Sequence, residues 1–117
     1  MSALAPKLFA LDEHVRYAAV VQAGKIVEMA QHPRLPTLNP HESDRFEESV
    51  VNPVLIQLAV YRGNLDMDGA RYVMIRYGTM YQLVFPYQQG HLSIAVELEG
   101  NPLNIAEKVA RELGLRH

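Results

Sequence analysis

Three runs of β-forming residues, separated by two short turns, fill residues 71–98 and predict an antiparallel meander. The last run alternates between apolar and other residues, so one face of that strand carries Leu92, Ile94, Val96 and Leu98. Gly78 is predicted at the first central position of a two-residue II′ turn, because φ is positive there. Residues 88–90 form the second reversal. The pattern therefore predicts three consecutive strands joined by hairpins.

Two earlier runs, residues 16–22 and 26–31, flank Ala23, Gly24 and Lys25 and predict another hairpin with a tight turn. Residues 18–21 of the first run are all apolar, so neither face of that strand is polar. Such a run is typical of a central strand that is covered on both sides.

Helical spacing of apolar residues predicts a short helix over residues 5–14 and a last helix after residue 101. Asn101 and Pro102 suit the N-cap and first position of the last helix. Its predicted buried face consists of Leu103, Ile105, Ala106, Val109 and Leu113.

A long middle helix is predicted from about Glu42, after a loop over residues 32–40 that contains three prolines. Pro53 predicts a kink or break near Val51. Gly63 suits the position that follows a helix, and residues 64–69 a polar loop. The apolar residues of this helix form one stripe: Phe46, Val50, Val54, Leu58, Tyr61 and Leu65.

The predicted core combines part of this stripe with the meander. It consists of Val50, Val54, Leu58, Val73, Ile75, Leu83, Phe85, Ile94 and Val96.

Composition limits the function more than it identifies one. The 117 residues suit a single domain, and a net charge of -2 disfavours general nucleic-acid binding. Without cysteine the chain has no thiolate nucleophile and no cysteine-based zinc site. The N-terminal residues resemble neither a signal peptide nor a membrane span, so we expect a cytoplasmic protein that does not bind membranes.

No catalytic, cofactor or metal site is predicted. The five histidines lack metal-ligand spacing, with His32 and His41 expected in a solvated loop and His91 at a turn. Residues 66–69 resemble the start of a calcium loop but lack its later ligands, and the glycines form no phosphate loop. Ser93 and the other serines have no His and Asp at recognisable spacing. We therefore expect a protein that is not an enzyme.

The order helix, two strands, helix, three strands, helix, together with the segments YAAVVQAGKIVEMAQ and GHLSIAVEL, resembles the roadblock/dynein-light-chain superfamily and more widely the profilin-like sandwiches. Residues 50–97 are also similar to segments of small prokaryotic proteins, a similarity that implies no activity. The roadblock resemblance implies an α+β domain over residues 1–117 with a five-stranded antiparallel sheet in the order 2-1-5-4-3. The long middle helix would cover one face and the terminal helices the other.

The resemblance also implies a non-enzymatic homodimer that scaffolds or regulates a protein partner such as a small GTPase. Family dimers commonly pair the third strand and the middle helix. Arginine and tyrosine are enriched at protein interfaces, and they cluster in this part of the chain. The candidate interface residues are Tyr61, Arg62, Arg71, Tyr72, Arg76 and Tyr77.

Three other interpretations remain. The arginines and tyrosines could be ordinary half-buried sheet residues. The chain also resembles the PAS family, in which a small ligand would lie between the middle helix and the sheet. An enzyme is the third possibility.

Overall fold

The computed structural model describes residues 3–35 and 42–117, and its five strands form one antiparallel sheet in the order β2-β1-β5-β4-β3, as expected. Pro36, Pro40 and His41 of the predicted proline-rich loop lie outside the described residues. The strands are β1 Val15–Gln22, β2 Lys25–Gln31, β3 Val73–Arg76, β4 Met80–Tyr87 and β5 Gly90–Glu97.

Four α-helices accompany the sheet in these ranges: α1 Ala5–Leu11, α2 Glu42–Phe46, α3 Asn52–Asp66 and α4 Pro102–Leu113. Helix α1 ends three residues earlier than predicted, because Asp12 is extended and its side chain accepts the N–H of His14 at 2.9 Å. The predicted cap of α4 is confirmed, since the Asn101 side chain accepts the N–H of Asn104. No helix in the described ranges is long and apolar enough to cross a membrane.

A π-helical turn, Glu47–Val51, joins α2 to α3, so residues 42–66 form one interrupted middle helix. The N–H of Asn52 bonds to the carbonyl of Glu47, five residues back. Pro53 follows in the first turn of α3 and has no backbone N–H to donate to the preceding helical turn. The predicted interruption near Val51 is therefore a π-helical turn, and the chain stays helical across it.

Most of the core lies between the sheet and the two terminal helices, with Leu8 of α1 and Ile105 of α4 among its members. Residues 18–21 of β1 are all buried, which confirms the prediction of a central strand. Of the predicted core residues, Leu83, Phe85, Ile94 and Val96 are buried, while Val73 and Ile75 are half-buried.

The prediction that Val50, Val54 and Leu58 belong to the core is wrong, because all three are exposed. The residues that face the sheet are on the opposite side of the middle helix and include Asn52 and Ile56. Because α3 carries apolar residues on both sides, with Ile56 toward the sheet and Val54 and Leu58 toward solvent, their spacing could not show which side packs on the sheet. Leu103, which was predicted on the buried face of α4, is also exposed.

Two predictions about glycines also fail. Gly63 lies inside α3, and its carbonyl accepts the N–H groups of Met67 and Gly69 at 2.9 and 3.0 Å. A Cβ there would approach the Ala70 nitrogen to 2.8 Å, so this glycine allows the next loop to cross the helix. Gly78 does not have the positive φ of a II′ turn. The positive φ values of Ala23 and Gly24 instead give β1 and β2 their tight hairpin.

We expect Gly90→Ala to destabilise the protein by about 1–3 kcal/mol, because the added methyl group overpacks the junction of β1 and β5. A Cβ at Gly90 would lie 1.9 Å from the Val21 carbonyl oxygen. The matched control is Gly78→Ala, since no atom lies within 4 Å of a Cβ at that hairpin position. Urea unfolding would contradict the prediction if both variants had the same midpoint.

Candidate interaction surface

The middle helix presents an exposed apolar stripe to solvent. Its members are the six residues of the predicted stripe, and their relative exposure ranges from 46% to 72%. We call Phe46, Val50, Val54, Leu58, Tyr61 and Leu65 the outer stripe. Contiguous exposed apolar surface of this kind usually marks a site of association.

Strand β3 lies at one edge of the sheet, beside the outer stripe. It pairs with β4 on one side and has no strand on its other side among the described residues. An unpaired edge presents backbone donors and acceptors to another chain. Register partners of an antiparallel pair share a face, so Val73 and Ile75 lie with Val84 and Gln82 on the face that the middle helix covers.

The six candidate interface residues do not form one surface. Tyr61 and Arg62 are exposed on α3, and Arg62 forms an ion pair with Asp66 at 2.5 Å. Tyr77 is on the same side of the sheet, where its hydroxyl donates to the Glu47 carboxylate at 3.0 Å. These three residues are therefore near the outer stripe.

The other three lie elsewhere. Tyr72 is half-buried on the opposite face, with its ring 5.7 Å from that of Phe85. Arg76 lies over the Tyr81 ring at 5.5 Å, also on that face. Arg71 precedes β3 and pairs with Asp68 at 3.1 Å. Tyr72 thus fits the alternative interpretation, in which these arginines and tyrosines are ordinary half-buried residues of the sheet.

A buried carboxylate anchors the π-helical turn to the sheet, and sequence reasoning missed it. Glu48 is 0% exposed. One of its oxygens lies 2.9 Å from His91 Nε2 and accepts a hydrogen bond from the Asn52 amide at 3.0 Å. The other accepts from the Ser93 hydroxyl at 2.6 Å and the Tyr17 hydroxyl at 2.9 Å. His91 is therefore buried under the helix, and the prediction of a simple turn position is wrong.

These contacts decide the charge state of the cluster. Burial alone would raise the pKa of Glu48, but the hydrogen bonds from His91, Ser93, Tyr17 and Asn52 outweigh it and hold that pKa below its ordinary value. Burial, together with the nearby Glu48 carboxylate, raises the pKa of Tyr17. The cluster is thus built around an ionised carboxylate that accepts four hydrogen bonds.

The cluster does not have the arrangement of a hydrolase triad. In a triad, histidine lies between the nucleophile and the acid, whereas here Ser93 and His91 both contact Glu48. Every one of these side chains is buried or half-buried, and the arrangement fixes a helix to strands β1 and β5. The hydrogen bonds of the cluster therefore hold the middle helix on the sheet.

A second carboxylate links the π-helical turn to the β3–β4 hairpin. Burial raises the pKa of Glu47, which accepts the Tyr77 hydroxyl. Burial and this hydrogen bond raise the pKa of Tyr77 to about 12. Within residues 3–35 and 42–117, no three His, Cys, Asp or Glu side chains are grouped so that they could share a metal ion.

The space between the middle helix and the sheet is an open groove. Its volume is ≈ 540 Å³, and its lining includes Ile56 and Val60 of α3. Pro86 and His91 contribute from β4 and β5. Residues of two hairpin turns also line the groove: Gly24, Gln88 and Gln89.

Comparison with solved structures identifies the fold of the chain. No protein-family model and no curated protein matches the chain. A Roadblock/LC7 domain from Streptomyces avermitilis is 16% identical, with a TM-score of 0.62 over 87% of this chain and 84% of that one. The gliding protein MglB from Thermus thermophilus is 14% identical, with a TM-score of 0.59 over 91% and 82%. A structure of MglB with a tetrameric arrangement is 15% identical, with a TM-score of 0.61 over 95% and 85%. The chain has the roadblock-like fold.

Proposed function

We propose that the chain is a non-enzymatic interaction module that acts as a homodimer and regulates a protein partner. The observation that carries this proposal is the outer stripe, whose six apolar side chains are exposed along one side of the middle helix. Apolar side chains that are exposed to solvent gain stability when a partner surface covers them. A second copy of the same surface would bury the outer side.

The size of the outer stripe indicates which other element takes part. At 1.5 Å per residue it is about 30 Å long and about 10 Å wide, or about 300 Å². A standard interface buries about 800 Å² on each partner. We propose that the edge of β3 supplies the additional surface, because pairing of the two β3 edges would place both middle helices side by side.

The partner class is proposed from the family resemblance. Roadblock-like proteins mostly scaffold or regulate small GTPases and motor complexes, and two of the similar structures are of the gliding protein MglB. A small GTPase is therefore our choice of partner. The alternative of a PAS-like ligand sensor has less support, because the groove under the helix is open rather than enclosed.

We expect Leu58→Glu to raise the dissociation constant of the homodimer by about a hundredfold or more, because it would bury an unpaired charge at the centre of the interface. Sedimentation equilibrium at micromolar concentration measures this change. The matched control is Leu103→Glu, which alters a similarly exposed leucine on α4, away from the outer stripe. A natural protein that is wholly monomeric, or a control that dissociates equally, would contradict the proposal.

A further inference from the structure

The groove between α3 and the sheet continues beyond its apolar part. A second section of ≈ 390 Å³ extends toward Arg71 and the C-terminal residues. Val60, Asn64 and Pro86 line both sections, so the two sections form one continuous groove. Tyr61 belongs both to the lining of this groove and to the outer stripe, whereas the other five residues of the outer stripe, Leu58 among them, do not line the groove.

The wall opposite α3 is held in place by contacts between two hairpin turns. The Ala23 N–H donates to the Gln89 carbonyl at 3.0 Å. The side-chain amides of Gln22 and Gln88 are also hydrogen-bonded to each other. The apolar section is therefore bounded by two elements that are linked before any ligand binds.

The other section ends at two arginines. A Cβ on Gly69 would lie 3.4 Å from a guanidinium nitrogen of Arg71 and 3.7 Å from one of Arg116, so both guanidinium groups converge beside this glycine. Both pair with Asp68, at 3.1 Å and 2.8 Å. They hold the pKa of Asp68 below its ordinary value. Two cations share the single Asp68 carboxylate, so this group of three side chains carries one uncompensated positive charge.

We propose that the groove binds an extended segment of a protein partner, with an apolar side chain in the wide section and a carboxylate at Arg71 and Arg116. This inference rests on the proposed function and adds the chemistry of the partner. The charge at the narrow end selects an anionic group, and two arginines can bind a carboxylate through several N–H donors. An open, elongated groove suits a peptide, because a small ligand needs a site that encloses most of its surface.

The probe is a phage-displayed library of short linear peptides selected against the natural protein. We expect the selected sequences to share an apolar residue followed closely by Asp, Glu or a free C-terminus. A synthetic peptide of that sequence should perturb the backbone amide NMR signals of Gly24, Gly69 and Gly90, which line the groove. Absence of a shared pattern would overturn the proposal.

A matched pair of charge reversals tests the arginine end. We expect Arg116→Glu to weaken binding of the selected peptide about tenfold. Arg111→Glu should leave it unchanged, because Arg111 is equally exposed on α4 and pairs with Glu107 outside the groove. Equal effects of the two variants would overturn the proposal.

The Leu58→Glu variant distinguishes this inference from the proposed function. Peptide binding that is retained by this variant and by the natural protein supports the groove. Binding that Leu58→Glu abolishes would place the peptide on the outer stripe, and binding to that variant alone would mean that a second copy covers the groove. Either result overturns the inference, whereas the homodimer is decided separately by sedimentation.

Discussion

Glu48→Ala should destabilise the protein by about 3–5 kcal/mol, because it leaves several buried partners of the carboxylate without an acceptor. His91 and Ser93 are almost completely buried, so water cannot replace the lost hydrogen bonds. Since small domains are stable by only about 5–15 kcal/mol, the loss would be a large part of the total. Urea unfolding followed by circular dichroism would measure it.

The adjacent residue provides the control for this experiment. Glu47 is partly exposed and contacts only the Tyr77 hydroxyl among the hydrogen bonds described above. Glu47→Ala should therefore cost about 1 kcal/mol or less. A Glu48→Ala variant as stable as Glu47→Ala would mean that the buried cluster contributes little.

The same carboxylate predicts an acid-sensitive contribution to stability. The pKa of Glu48 in the folded protein is below its ordinary value of 4.5, so its contribution is present above that pH and is lost as pH falls through the lower, folded value. The pKa of Glu47 is raised and that of Asp12 is lowered, so other carboxylates also make stability depend on pH. The contribution of Glu48 is therefore measured as the difference between the natural protein and a Glu48 variant at each pH. The difference in unfolding free energy between the natural protein and Glu48→Gln should shrink as pH falls below 4.5. A difference that is constant with pH would contradict this assignment.

Ile94→Ala is expected to cost about 2–5 kcal/mol, whereas Leu58→Ala should cost only about 0.5 kcal/mol in dilute, monomeric protein. Ile94 is fully buried at the centre of the sheet, and Leu58 is exposed. Chemical unfolding at submicromolar concentration would separate the two variants. If Leu58→Ala were as costly as Ile94→Ala under those conditions, Leu58 would belong to the monomer core.

Protein concentration adds a second test to that comparison. If the outer stripe forms a homodimer, dimerisation stabilises the folded protein through mass action. The cost of Leu58→Ala should then rise as the protein concentration increases, while the cost of Ile94→Ala should change little. A concentration-independent cost for Leu58→Ala would count against the dimer.

Local patterns were sufficient to predict most strands and helices, whereas the strand order of the sheet was implied by the resemblance to the roadblock superfamily. The alternation of β5 and the Asn101 cap each depend on neighbouring residues, and the structure contains both. The side of the middle helix that packs on the sheet could not be predicted in this way. Val60, toward the sheet, and Leu58, toward solvent, are both apolar, so helical periodicity gave no basis for choosing between them.

The buried cluster needed information that periodicity does not contain. Glu48 meets His91 and Ser93 across separations of 43 and 45 residues, and these contacts depend on how the helix is placed over the sheet. One signal was present: His91 and Ser93 alternate with Leu92 and Ile94 on a strand that is central in the sheet. Polar residues on a covered face require partners, so they could have indicated a polar group on the covering helix.

The π-helical turn Glu47–Val51 changes the direction in which side chains point along the middle helix. A turn closed by bonds between residues five apart contains one residue more than an α-helical turn, so every side chain before it is rotated relative to those after it. This rotation lets Glu48 point into the sheet while Phe46 and Val54 both stay on the outward side. Deleting one residue within this turn would restore a uniform α-helical pitch and bring the two halves out of alignment. The length of this short segment therefore determines both the anchoring of the helix and the continuity of its outer surface.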